Sequence, residues 1–522
     1  MSTFTIEITG IGSELQGVGR LPDSRAAFVP SAIPGETVEI EITRERDRFV
    51  EARLLRVLTP SKDRITPVCP HFGICGGCQT QHMTYERSLL LKRQKVYDAL
   101  SRIGGIKNPM VNDVVPSDEI FGYRNKAEYA CGGGYAGMFE TGSHRIVDIS
   151  ACPLQSDVSN NVFRFVKAHL GALPIKYIVP RVNAKGEMLL TLSTDRKCDI
   201  APLAHRLMKE FGFLLGVYEM RLKNRPAHAL DGDIRKIAQR ADFFETLSGL
   251  TFTVSPQSFF QVNRPQAEKL YDIALALADL KPHEKIADVY CGAGTISLAA
   301  AKNCAHVTGI EIVPEAVRDA KKNAEINGLS DKAAFLAGDA ADVYVRLQKT
   351  SRFDCVIVDP PRKGVDESVI NALIKAPAKR IVYVSCNVAT LARDVKKLTE
   401  QGVYEFLSAT PVDMFPLTGH VESVVCLSRE RADDHIRFSI NTEGLKRNVR
   451  GYATYGDIKA YVLEKFGLKV SSLYIAQTKD KCVIKERENY YKGEGKSKEL
   501  ICPPDKEAAI MDAFRHFGML KD

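Results

Sequence analysis

Apolar and polar positions alternate along the first 60 residues in short stretches, FTIEI, GVGRL, AAFVP, TVEIEIT and VEARLLRVL, each bounded by Gly, Pro or Asp. Period-two alternation puts every second side chain on one face, so the stretches predict five strands closing into a small OB-like β-barrel. Val38, Ile40 and Ile42 alternating with Glu39, Glu41 and Thr43 form the clearest wall, apolar on one side and wet on the other. From Cys69 to about 250, short strands mix with helical spacing over 85–102 and 156–170, which predicts a central mixed α/β domain. From Pro256 onward strands alternate with helices, the signature of βαβ units, a parallel sheet and a Rossmann-like domain ending near 429. Helical spacing returns at 454–466 and 471–479, followed by a basic, glycine-containing run at 490–498. The expected division is therefore a barrel at 1–60, a central domain at 61–250, a Rossmann-like domain at 251–429 and a small α-rich appendage at 430–522.

Composition narrows the class. With 45% hydrophobic and 26% charged residues the chain is globular, and no apolar run approaches the length of a membrane span. Its first residues, MSTFTIEITG, lack a basic start and an apolar signal core, so a soluble, cytoplasmic monomer is expected. The net charge of +8 mildly favours a polyanionic partner such as RNA. Arg44, Arg46, Arg48, Arg53 and Arg56 read either as a solvated barrel face or as a phosphate grip. The appendage reads as packing or as a helix-turn-helix-like RNA contact. Thirteen cysteines in a chain without an export signal point to thiols, nucleophiles or metal ligands rather than disulfides.

The strand KIADVY runs into Cys291-Gly292-Ala293-Gly294, and Thr295 to Lys302 follows as a helix. The next strand, HVTGIE, ends on Glu311, where an acid in such a unit accepts ribose hydroxyls. The phosphate fingerprint G-x-G-x-x-G is incomplete because position 297 is Ser, so S-adenosylmethionine fits better than a dinucleotide. Asp339, closing AAFLAGD, reads equally as an adenine contact or a solvated loop acid. FDCVIVD delivers Asp359, followed by the rigid turn Pro360-Pro361-Arg362. Methyltransferases acting on amino groups end a similar turn on an aromatic, so Arg362 argues against that chemistry.

The strand RIVYVS ends on Ser385-Cys386-Asn387, with a helix expected from Ala389 or Thr390. That location turns Cys386 toward the ligand cleft, and a helix amino terminus favours the thiolate. Glu422, at the start of the apolar strand 421–428, is a candidate base or a rim glutamate; His420 reads as packing.

Three motifs, Ser385-Cys386-Asn387 with Thr390-Leu391-Ala392-Arg393-Asp394, Asp359-Pro360-Pro361-Arg362, and His420-Val421-Glu422-Ser423-Val424, resemble those of the RNA uracil-5-methyltransferases. The resemblance covers roughly 1 to 429. It implies that Cys386 is the nucleophile and Glu422 the base, that Gln261, Tyr290, Glu311 and Asp359 hold the cofactor, and that the barrel is a TRAM domain. The chemistry requires such a pair: carbon-5 of uracil attacks a sulfonium methyl only after a thiolate adds to carbon-6, and a base must then remove the carbon-5 proton. Val388 stands where the family has proline.

Cys69, Cys75, Cys78 and the distant Cys152 offer four thiolates suited to zinc or to an iron-sulfur cluster, and spacing does not choose between them. In the resembling 23S ribosomal RNA branch these positions hold a [4Fe-4S] cluster. That branch implies ribosomal RNA as substrate, with transfer RNA as the rival, and a non-catalytic RNA-binding or assembly factor as the reading from another class.

Overall fold

The computed structural model describes residues 2–429, 455–468, 470, 474–475, 478 and 503–516. The chain forms two compact units, Met1–Ile436 and Arg437–Asp522.

Strands β1 (Thr3–Ile11), β2 (Gly17–Arg20), β3 (Ala26–Val29), β4 (Thr37–Glu45) and β5 (Phe49–Thr59) close a barrel in the order β1-β2-β3-β5-β4. Ile6, Ile8, Val29, Val38, Ile40 and Val50 fill it, as the alternation predicts. The basic run divides. Arg53 and Arg56 pair with Glu41 and Glu39 on the adjacent strand, whereas Arg44, Arg46 and Arg48 stay exposed at the β4–β5 turn.

After helix α1 (Tyr85–Arg102) come β6 (Tyr129–Gly132), β7 (Tyr135–Phe139), β8 (Ile146–Asp148), α2 (Asp157–Ala168), β9 (Ile175–Val182), β10 (Met188–Thr194), α3 (Ala201–Glu210), β11 (Leu214–Leu222) and β12 (Gly232–Gln239). Their strands form a seven-stranded sheet, β12-β11-β10-β9-β6-β7-β8, parallel only between β10 and β11. Val162, Phe163 and Val166 of α2 pack on Tyr129, Ile178 and Leu190. The hairpin β13 (Phe244–Leu247) and β14 (Leu250–Thr253) leads into the third layer.

That layer comprises α4 (Arg264–Ala278), β15 (Lys285–Val289), α5 (Thr295–Ala301), β16 (His306–Glu311), α6 (Pro314–Ile326), β17 (Ala333–Ala337), α7 (Ala340–Ser351), β18 (Cys355–Val358), α8 (Glu367–Lys375), β19 (Arg380–Ser385), α9 (Val388–Thr399), β20 (Glu405–Val412) and β21 (Glu422–Ser428). The sheet order is β17-β16-β15-β18-β19-β21-β20, with β20 and β21 antiparallel to each other and β21 antiparallel to β19. β18 is buried along its whole length and β19 from Ile381 onward, as parallel strands covered on both faces must be.

One boundary differs from the sequence reading. Val96 and Leu100 of α1, with Val111, belong to the same core as Leu391, Val395 and Ala409, and Val111 and Val115 bridge to Ala409 and Val412. The apolar stripe of α1 is thus buried by α9 and β20, so by packing the helix belongs to the Rossmann-like layer. In the second unit, α10 (Tyr455–Phe466) and α11 (Pro504–His516) share a core of Ile458, Val462, Ile510 and Phe514. Of the helical stretch expected at 471–479 only residues 474, 475 and 478 are described, and the basic run at 490–498 lies outside the described residues. No described helix is long and apolar enough to cross a membrane.

A buried ion pair ties α1 to the chain after β20: Lys92 Nζ donates to Asp413, and neither side chain is exposed. Removing one member strands a buried charge. Lys92→Met is expected to lower the stability of the full chain by about 3–5 kcal/mol, and adding Asp413→Leu to recover part of it, as read from denaturant unfolding.

Candidate active site

Parallel pairing of β15, β16, β18 and β19 opens their carboxyl ends onto one edge, where open α/β sheets take their ligands. Tyr290, Glu311, Asp359 and Cys386 all lie there. Because β21 runs antiparallel to β19 with Ser423 opposite Ser385, the next step of the register sets Glu422 beside Cys386.

The cofactor cradle begins at the end of β15, where Tyr290, Gly292 and Gly294 have φ of 71°, 53° and 81°. A Cβ on Gly294 would lie 2.9 Å from the Phe335 ring, so close packing requires glycine there, whereas a Cβ on Gly292 would meet nothing within 4 Å. Glu311 turns its carboxylate onto this turn, accepting from the N–H of Gly292 at 3.1 Å and of Val313 at 3.0 Å. Ser297 donates its hydroxyl to the buried Asp288. A carboxyl beneath the amino end of α5 disfavours a pyrophosphate and suits a cationic sulfonium. Gln261 is nearly buried, and its backbone carbonyl accepts from the Asn125 side chain at 3.0 Å. Asp339 caps α7, one carboxylate oxygen accepting from Ala341 N–H at 2.9 Å and Asp342 N–H at 3.2 Å, which supplies a local role for it.

Cys386 lines a cavity of about 360 Å³ with Glu14 of the barrel, Lys95 and Asp98 of α1, Arg362 and His420. The turn after it is stapled to the Asp359–Arg362 segment. Asn387 caps α9, and its side-chain amide and the Thr390 hydroxyl donate to the Arg362 carbonyl at 3.1 and 3.3 Å. Asp394 accepts from Tyr383 Oη and Val365 N–H, each at 2.8 Å. These motif residues hold the loop in place. Val388 is the first residue of α9, where a proline's missing N–H is of no consequence, so the departure at 388 fits the helix start.

Glu422 is 4% exposed, and burial, then the nearby Asp359, push its pKa up to about 8 against an opposing pull from Arg362. Burial and Asp288 raise Asp359 to about 7. The expectation that the helix amino terminus favours the Cys386 thiolate is corrected: burial and then Glu422 push this thiol up to about 11, with Arg362 opposing. Two roles were not read from the sequence: Arg362, noted there only for its place in the Asp359–Arg362 motif, is a cation facing both Cys386 and Glu422, and Asp288 is an acid inside the apolar strand KIADVY; His420 lines the cavity and packs edge-on against Phe415.

Cys69, Cys75, Cys78 and Cys152 converge in space. Cys78 is pushed up to about 12 by burial and, further, by Cys152, Cys75 and Cys69. Gly77 N–H donates to Cys75 Sγ at 3.4 Å, and the Gln81 side chain hydrogen-bonds the Cys78 thiol. Among the described residues no group of three or more His, Cys, Asp or Glu side chains is arranged to hold a metal ion.

Residues 246–430 match the tRNA (Uracil-5-)-methyltransferase family and residues 1–55 the TRAM domain. An uncharacterized RNA methyltransferase of Halalkalibacterium halodurans is 37% identical over 79% of this chain and 93% of its own length. Another, from Caldanaerobacter subterraneus, is 38% identical over 82% and 98%. The solved tRNA (uracil-54, C5)-methyltransferase of Pyrococcus abyssi, in complex with S-adenosyl-L-homocysteine, superposes with a TM-score of 0.66 at 28% identity, covering 81% of this chain and all of that one. The chain belongs to the S-adenosylmethionine-dependent RNA uracil-5-methyltransferase family, with a TRAM domain at its amino terminus.

The raised carboxyls carry a pH signature. Glu422 in the folded chain keeps a proton that the unfolded chain releases near pH 4.5, so its contribution to stability is full below that pH and is lost as pH rises toward about 8. The thermal midpoint of the ligand-free enzyme is expected to fall between pH 5 and 8, and Glu422→Gln to flatten that fall.

Proposed function

We propose that the enzyme methylates carbon-5 of a uridine in ribosomal RNA of the 23S type, with Cys386 as nucleophile and Glu422 as base. The single observation that supports this best is the β19–β21 register, which sets a cavity-lining thiol next to a buried carboxyl at the ligand edge of the sheet. The Cys386 thiol gives up its proton to solvent, its sulfur adds to uracil carbon-6, and the electron pair of the 5,6 double bond moves out as an enolate that is nucleophilic at carbon-5. Bound S-adenosylmethionine would supply the electrophilic methyl group, which bonds to carbon-5 as the neutral thioether S-adenosylhomocysteine leaves. Glu422 then takes the carbon-5 proton, the double bond re-forms, and the Cys386 thiolate leaves. Arg362 offsets negative charge on the thiolate and the carboxylate during these steps. Gln261, Tyr290, Glu311 and Asp359 hold the cofactor in this reading, and Asp339 flanks it. The target base must leave its stack to present both ring carbons. The exposed arginines Arg44, Arg46 and Arg48 of the barrel attract the phosphate backbone.

Four thiols within electrostatic reach of one another, with Gly77 N–H already donating to the Cys75 sulfur, suit a [4Fe-4S] cluster, whose sulfurs take up such donors. Transfer RNA is the second reading, favoured by the likeness to the Pyrococcus abyssi enzyme along that enzyme's whole length.

Mass-spectrometric mapping of ribosomal and transfer RNA from a deletion strain decides the substrate: loss of a 5-methyluridine from the large ribosomal RNA is expected, and a loss confined to transfer RNA contradicts it. Glu422→Gln should accumulate a covalent protein–RNA adduct already carrying the methyl group, and Cys386→Ala should form none; turnover by Cys386→Ala contradicts the mechanism. Anaerobically purified protein should show broad visible absorbance that Cys75→Ser abolishes, and a colourless protein with stoichiometric zinc would refute the cluster.

A further inference from the structure

The peptide that delivers Glu422 runs from Asp413 to Val421 without regular secondary structure, and it is held from outside at nearly every step. Asp413 accepts from Lys92 and from Tyr85 Oη at 2.8 Å. The Met414 and Pro416 carbonyls accept from the Asn263 side chain and Tyr123 Oη, each at 3.1 Å. Leu417, with φ of 65°, accepts from the N–H groups of Gln79 at 3.0 Å and Thr80 at 3.2 Å, and its side chain packs with Tyr123 and Leu154 against Cys78 and Cys152.

Gly419 is where the domains meet. Its carbonyl accepts from Lys95 Nζ at 2.9 Å, and its N–H donates to Gln79 Oε1 at 3.2 Å. The other end of the Gln79 amide donates to the Gly76 carbonyl at 3.0 Å, inside the loop that carries Cys75 and Cys78. On the remaining side the barrel closes in, since a Cβ on Gly419 would lie 2.8 Å from the Glu14 carbonyl oxygen. The cysteine loop, helix α1 and the barrel therefore all bear on one peptide three residues before Glu422.

We infer that Gln79 and Lys95 are positioning residues for proton removal from carbon-5: they fix the Leu417–Gly419 peptide, and through it the place of the Glu422 carboxylate. The cysteine loop and the barrel thereby act on the chemistry through a single joint. The inference rests on the reading of Glu422 as the base.

Gln79→Leu keeps the backbone N–H to Leu417 and loses both side-chain bonds; Lys95→Met keeps the apolar stem and loses the bond to Gly419. Gln79→Leu is expected to slow release of methylated RNA from Cys386 about tenfold, while single-turnover formation of the adduct changes by less than about twofold; Lys95→Met, at a residue that also lines the Cys386 cavity, is expected to slow release more than formation. A denaturant-resistant, methylated protein–RNA adduct should accumulate in both. Gln79→Glu, which can still accept from Gly419 N–H, should restore much of the release. Proportional loss of formation and release in both variants, or no change in either, overturns the inference. Glu422→Gln run alongside separates the two claims. If it accumulates adduct and the others do not, the joint alone fails; if it also leaves none, the base assignment falls and the inference with it. Should one variant fail to fold, the other carries the test by itself.

Discussion

Strand β21 lies between β19 and β20 and runs against β19, and the placement of the reacting groups depends on that antiparallel register. With Ser423 facing Ser385, the next residue of each strand, Glu422 and Cys386, falls at the carboxyl edge where the parallel strands present Glu311 and Asp359. A slip of one residue would turn every side chain of β21 to the opposite face, moving Glu422 away from the cleft and Val421 or Ser423 toward it. β21 is buried along its whole length, so a slip would have to repack every one of its side chains. The core that stabilises the sheet is thus also what aligns Cys386 with Glu422.

Burial sets the electrostatics of the same place. Asp288, Asp359 and Glu422 lie in a region poor in water, each carboxyl disfavouring the ionisation of the next, and Arg362 is the cation that faces the last of them and Cys386. Burial raises the pKa of all three carboxyls and of the Cys386 thiol. A site of this kind suits a cationic methyl donor, whose charge would favour the ionised carboxylates, and it keeps a reactive thiolate from persisting without substrate.

Much of this was legible in the chain itself. The five barrel strands, helix 85–102 and the βαβ alternation followed from periodicity, because each element buries one face and the pattern records which. Cys386, Glu311 and Asp359 were legible because a strand's carboxyl end is a place the sequence marks. The affiliation of α1 was not, since an amphipathic stripe does not name the surface that covers it. The protonation of Cys386 was not either: it depends on Glu422, brought near by a pairing between distant segments, and no local pattern reports that. The cavity that His420 lines was not legible for the same reason, being assembled from the barrel, α1 and the α9 turn.

The central claim is that Cys386 bonds to the pyrimidine while Glu422 waits for the carbon-5 proton, and RNA carrying 5-fluorouridine tests it most directly, because fluorine at carbon-5 cannot leave as a proton does. Incubated with S-adenosylmethionine and digested, the enzyme is expected to yield a single cross-linked peptide, with the methylated fluoropyrimidine nucleotide attached at Cys386. A cross-link at any other residue, or no cross-link from an enzyme that methylates the unmodified RNA, would contradict the account.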